Sequence, residues 1–381
     1  MDNKLYDYWV ATLQNGYIGN LIKITECLGG AKSLYELIKM HKNGGDTEKY
    51  LYKTTDENGK VMLTKALCDY MASKLYSTDI IEHKYLNMLK NGINYVNYSD
   101  NDFPTKLLNI PSPPYGLFVK GNLPDENIKS VAVVGSRECS EYGRDCAQYF
   151  GAKLAEKGIQ VISGMAWGID GISQMEAIKS GGKSYGVLGC GVDVIYPIKN
   201  SGLYNMLCEN GNGVISEYDI NTKACSRLFP PRNRIIAGLC DLLLVIEARA
   251  KSGTLITVNM AMEQGKSIMA VPGRITDELS RGCLMLIGEG AIPAVSIDSI
   301  LDELGLDLKK DNSYLEDKHN LDILDNEQRE IYSILSYDPM SSDTIADKCK
   351  ISINEVLINL SKLELMGYVK EIMQGKFVIN S

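Results

Sequence analysis

Between Ser130 and Val271 one pattern repeats. A short apolar run closes on Gly, Ser or an acid, and ten to fifteen residues at helical spacing follow. The runs are Ser130–Val134, Ile159–Ser163, Ser184–Leu188, Gly213–Glu217, Asp241–Ile246 and Ser267–Val271, with Ala294–Ile297 as a short last one. Asp241–Ile246 is apolar after its first residue without alternation, as in a strand buried on both faces. Strands alternating with helices of this length predict an α/β fold: an extended Rossmann-like, doubly wound parallel sheet over 129–305. In such sheets the loops after the strands are where phosphates are held, and here those loops are rich in Gly and Arg.

The flanks read differently. In 1–92, Leu5, Tyr8, Trp9, Leu13 and Ile18, then Leu21, Ile22 and Ile24, recur at helical spacing with Gly16, Gly19 and Gly29-Gly30 as breaks; Lys65–Leu75 and Ile80–Leu89 predict two more helices. A small helical domain results, either a helix-hairpin-helix grip on a nucleic-acid backbone or a packing domain. The second is preferred, because Lys and Arg do not concentrate in its turns. Residues 93–128 form an extended, Pro-rich connector with a strand at Tyr115–Lys120. Residues 306–320 are polar and charged, a linker by composition, and 321–381 read as three helices and a hairpin, a winged helix-turn-helix.

Charge and composition exclude several classes. The formal net charge of −8 argues against a whole-molecule grip on nucleic acid, so any such binding must be local. Ten cysteines without a Cys-x-x-Cys pair and only three histidines (His41, His83, His319) predict reduced thiols, with no metal site and no cofactor. No run is long and apolar enough to span a membrane, and the first residues lack a signal layout; the expectation is a cytoplasmic protein. The main domain has no histidine, so no catalytic residue is assigned. Asp170, Asp193, Glu217 and Glu247 stand near strand ends, where they either form acid–base pairs or, as preferred, cap helices and brace arginines.

Two local features carry the functional reading. Gly135-Ser136-Arg137 closes the first strand ahead of a helix, either a phosphate-holding turn or a plain turn with a surface Arg. From Ile220 to Cys240 there is no acid, but there are Lys223, Arg227, Arg232 and Arg234, with Phe229 among them. Phe229 either stacks a base or packs under the following helix. A dinucleotide fingerprint is missing after Gly135, and Gly182-Lys183-Ser184 opens a strand where a P-loop would open a helix.

Val133–Arg137, Ser163–Asp170, Gly189–Pro197, Phe229–Gly238, Glu247-Ala248 with Ser252–Leu255, and Val271–Gly273 together resemble the DNA-processing protein A family, DprA or Smf, in the family's order. The resemblance implies a bacterial cytosolic protein that binds single-stranded DNA without sequence preference, helps load the RecA recombinase in natural transformation or recombination, and acts as a homodimer. It assigns DNA contacts to Gly135, Ser136, Arg137, Gly164, Lys199, Arg227, Phe229, Arg232, Asn233, Arg234, Ser252 and Gly253. Arg137→Ala and Arg232→Ala are expected to weaken binding without lowering Tm. Trp167 replaces a residue that is often basic in the family; it either stacks a base or is buried. The competing class is a nucleotide-processing enzyme of phosphoribohydrolase type, whose Pro-Gly-Gly-x-Gly-Thr loop Ser252–Thr254 echoes in part.

Self-association is expected through the apolar run Leu284, Met285, Leu286 and Ile287, with a charge at Leu286 giving a monomer. From Leu321 onward ten acids face six bases, so the winged helix is expected to contact protein, and a chain ending near Leu308 is expected to keep its affinity for single strands.

Overall fold

Each of the six apolar runs between Ser130 and Val271 forms a strand, and the six lie parallel within one sheet of nine. The computed structural model describes residues 3–14, 21–47, 50, 54–55, 59, 61–306, 324–336 and 338–379. Its strands are β1 (Ile93–Asn97), β2 (Gly116–Gly121), β3 (Ser130–Val134), β4 (Gln160–Ser163), β5 (Ser184–Val187), β6 (Gly213–Ser216), β7 (Leu242–Val245), β8 (Ser267–Ala270) and β9 (Ile292–Pro293). The spatial order is β1-β2-β6-β5-β4-β3-β7-β8-β9. The chain runs outward from β3 through β4, β5 and β6, then returns to place β7 on the other flank of β3. This reversal is the topological switch of a Rossmann-like sheet, and it puts the loops after β3, β4, β5 and β6 side by side on one edge. The central strands are buried on both faces, as their unbroken apolar runs require.

The last strand differs from expectation. Ile297 does not end a strand; it opens the helix Ile297–Glu303, which Ser296 caps by a reciprocal bond with Ser299. The edge strand β9 lies earlier, at Ile292–Pro293. The apolar run Gly282–Ile287 lies in the helix Arg281–Gly288.

The connector over 93–128 supplies β1 and β2, which extend the sheet antiparallel beside β6. The N-terminal helices share its core. Tyr8 packs edge-on against Tyr85, Tyr95 and Phe118, at centroid distances of 5.3, 5.9 and 6.1 Å. Trp9 is buried, and its Nε1 donates to the Lys74 carbonyl at 3.2 Å. Met1–Asp307 is accordingly one compact unit, and Leu308–Ser381 is a second. Gly16, Ile18, Gly19 and the linker beyond Leu306 lie outside the described residues.

The second unit is a winged helix: helices Asn326–Ile334, Ser342–Cys349 and Ile353–Leu365, then β11 (Val369–Met373) and β12 (Lys376–Ile379), with β10 (Met340–Ser341) pairing onto β12. Asp325–Gln328 and Ser352–Glu355 form capping boxes that start the first and third helices. The third helix buries Val356, Leu360 and Leu363 and exposes Leu357, Ile358 and Leu365.

Candidate nucleic-acid interface

The second half of the basic stretch is helical. Phe229–Leu239 is α-helical from its first residue, with Pro230 and Pro231 in the opening positions, where a missing N–H costs no helical bond. This start places Arg232, Ile235, Ile236 and Leu239 on one stripe, and all four are buried. Arg232 is only 5% exposed. Its Nη1 donates to the carbonyls of Gly164 and Val187, and its Nε to Asn233 Oδ1 at 3.2 Å. A Cβ on Gly164 would lie 2.8 Å from Asp170 Oδ2 and 2.9 Å from Arg232 Nη2, so only glycine leaves room for both side chains here. The expectation that Arg232 offers an accessible charge is therefore corrected: its guanidinium is spent inside.

Burial dominates both Arg232 and Asp170. It pulls the Arg232 pKa down to about 10 against the attraction of Asp170, and it pushes the Asp170 carboxyl up against the attraction of Arg232. On each group desolvation outweighs the attraction of the other, as burial of charge usually does. Arg234 is also neutralised. Its Nη1 and Nη2 donate to Glu217 Oε1 and Oε2 at 2.8 and 2.6 Å, and its Nε to the Ser112 carbonyl at 2.8 Å. Burial opposes the charge of Arg234, and the forked pairing with Glu217 outweighs it, holding the pKa up.

The remaining strand-end acids are structural too. Glu247 accepts from Ser140 N at 3.0 Å and from Ser140 Oγ, fixing the cap of the helix Glu141–Glu156. Asp193 Oδ1 accepts from Asn221 N at 2.8 Å. The preferred reading of these acids as caps and braces describes them.

What the edge does expose is a set of rings and cations. Tyr196, 43% exposed, stacks on Phe229 with centroids 5.4 Å apart and planes at 29°. Phe229 neither lies bare nor disappears under its helix; it is half-buried, with the guanidiniums of Arg137 and Arg232 at 5.8 and 5.9 Å from its centroid. Arg137 is exposed, while Ser136 Oγ donates to the Glu138 carbonyl at 3.0 Å. Trp167 is 47% exposed, with Lys199 Nζ 5.2 Å from its centroid. Asn200 Nδ2 donates to the carbonyls of Met165 and Ala166 at 3.0 Å each, which pins the loop of Lys199 onto that of Trp167. Gly168 has φ 86°, and a Cβ there would sit 2.3 and 2.5 Å from the carbonyls of Ser136 and Arg137; only glycine lets the Trp167 turn close on the Arg137 turn. Arg227 is exposed in the short 3-10 turn ahead of Phe229.

Ser252 and Gly253 open the helix Gly253–Glu263 after β7, and Ser252 Oγ is buried without a hydrogen-bond partner among the described residues. Gly135 packs beneath Ile169, where a Cβ would come within 2.7 Å. Of the proposed self-association residues, Leu286 is 7% exposed and belongs to the core beside β8, whereas Met285 is exposed. A charge at Leu286 would report on folding, so Met285 is the position at which assembly can be probed. Tyr196 was not singled out from the sequence, though it lies in the Gly189–Pro197 motif.

Fold and site together describe a Rossmann-like protein with a winged helix, whose strand-end acids are structural and whose carboxyl edge presents aromatic rings among cations. The family model for DNA recombination-mediator protein A matches residues 94–305, and that for the DprA winged helix domain matches residues 316–372. Protein Smf of Escherichia coli is 34% identical over 289 residues, covering 73% of this chain and 75% of that protein. DNA processing protein DprA of Streptococcus pneumoniae is 44% identical over 211 residues, 54% of this chain and 72% of that one. The X-ray structure of DprA from Streptococcus pneumoniae superposes with a TM-score of 0.63 at 30% identity, covering 80% of this chain and 98% of that chain. The chain belongs to the DNA recombination-mediator protein A family, DprA/Smf.

Proposed function

We propose that this chain binds single-stranded DNA without sequence preference at the carboxyl edge of β3 to β6, and acts as a non-catalytic mediator that helps load a RecA-type recombinase. The observation that carries the reading is the patch itself: the exposed rings of Trp167 and Tyr196, with half-buried Phe229 stacked beneath Tyr196, set among Arg137 and Lys199. Every base has a face that a ring can stack, and the sugar–phosphate chain has no feature for a cation to read but its charge. Such a patch therefore suits a flexible single strand of any sequence, and suits a duplex, whose bases are already stacked, poorly.

The mediator works in this reading as a homodimer in the cytoplasm during transformation or recombination. Among the described residues, no helix is long and apolar enough to cross a membrane. The winged helix would meet protein: its third helix carries Glu355 and Glu364 against Lys362, with Leu357, Ile358 and Leu365 exposed, a surface ill-suited to phosphates.

Anisotropy of labelled oligonucleotides across a salt series tests this. Affinity for oligothymidylate should exceed that for blunt duplex. Its logarithm should fall with log salt at a slope of about −2 or steeper, near −0.7 for each phosphate neutralised by Arg137, Lys199 and Arg227. Equal or tighter binding to duplex would refute the reading.

A further inference from the structure

We propose that Trp167 is a second base-stacking position, so that the patch holds two neighbouring nucleobases of one strand: one against the Tyr196–Phe229 pair, the other against the indole with Lys199 beside it. The proposal rests on the reading of the patch as a single-strand site and adds to it a position and an occupant.

The residues form a closed circuit. The turn of Trp167 and Gly168 sits against the Ser136 and Arg137 carbonyls. Arg137 lies over Phe229, Phe229 stacks on Tyr196, and Tyr196 precedes Lys199 by three residues in one loop. Lys199 closes the circuit over Trp167. Rings and cations are thus interleaved at one edge, the pattern that lets a strand lay bases on rings while its phosphates pass the charges.

An indole is a large apolar surface with a polar edge, and here about half of it meets water. Its turn does not depend on it. The backbone is held by Asn200 and by the close seat of Gly168, neither of which uses the Trp167 side chain. The ammonium of Lys199 lies within cation–π range of the ring. A nucleotide supplies the complement to both groups at once, a base for the ring and a phosphate for the ammonium.

The chain has two tryptophans, and they separate cleanly as reporters. Trp9 is buried among the N-terminal helices, and Trp167 is exposed on the patch. Saturating oligothymidylate should quench the emission of the unmodified protein and remove its quenching by acrylamide, while Trp167→Phe, which retains Trp9, should show neither change. Trp167→Ala should weaken binding roughly 5- to 140-fold with an unchanged salt slope and an unchanged Tm, and Trp167→Phe should recover most of the loss. Anisotropy of the labelled strand establishes saturation independently. If the strand binds but the emission does not respond, and Trp167→Ala binds as the parent does, Trp167 is not a stacking position and the single-strand reading stands. If the labelled strand does not bind at all, both fall.

Discussion

Arg232→Ala should destabilise the first unit by about 2–4 kcal/mol, because it removes a buried charged donor and leaves the buried Asp170 carboxyl without the nearby positive charge. For a unit of this size the melting temperature should drop on the order of 10 °C. The carbonyls of Gly164 and Val187 lose their donor as well, which adds to the loss. A second variant separates lost charge pairing from lost packing. Asp170→Asn with Arg232→Met removes both charges, fills the space, and should recover part of the stability, the remainder being the two carbonyls left without a donor. Thermal melts and urea titrations decide it. If Arg232→Ala melts within a degree or two of the parent and loses only DNA affinity, Arg232 is a surface contact after all.

The second large effect is on binding. The triple variant Arg137→Ala, Lys199→Ala, Arg227→Ala should lose roughly 100-fold in affinity for oligothymidylate near 0.1 M salt, and its salt slope should flatten by about 2. Each cation is exposed, so Tm should stay within a degree or two. The combination of flattened slope and unchanged melting marks loss of phosphate contacts; reduced affinity at an unchanged slope would place the phosphates elsewhere. Lys223 is exposed too and serves as a control, because among the described residues no ring contact ties it to the cluster as Arg137 and Lys199 are tied.

These two predictions divide the four cations between Ile220 and Cys240 in a way that local reading did not. Arg232 and Arg234 are structural, held by the Gly164 and Val187 carbonyls and by Glu217; Lys223 and Arg227 face solvent. Part of this was within reach of the sequence. Once the helix is begun at Phe229 with its two prolines, Arg232 falls in line with Ile235, Ile236 and Leu239, a stripe that points inward. The same holds for Leu286, which shares a helical face with Gly282 and Cys283 while Met285 turns outward. Without the helix start, neither segment shows the periodicity that assigns its faces.

The exposure of Trp167 had no such signal. It sits in a turn between β4 and the helix Ile169–Lys179, where side-chain direction follows the path of the backbone and not a repeat. That path is set by contacts with Asn200 and with the Arg137 turn, both remote in the chain.

Sequence by itself determined the parallel sheet, the winged helix and the set of loops that meet at one edge. Unbroken apolar runs closed by glycine can hardly be used otherwise, and helices of ten to fifteen residues between them impose parallel crossovers. Tertiary structure alone decided which charges on that edge remain available. Polar partners are chosen by distance in space: the carbonyls that hold Arg232 lie 68 and 45 residues away in the chain, and they come side by side only when β4 and β5 pair. A stretch without acids is therefore not a basic surface until the fold has shown which acids it packs against.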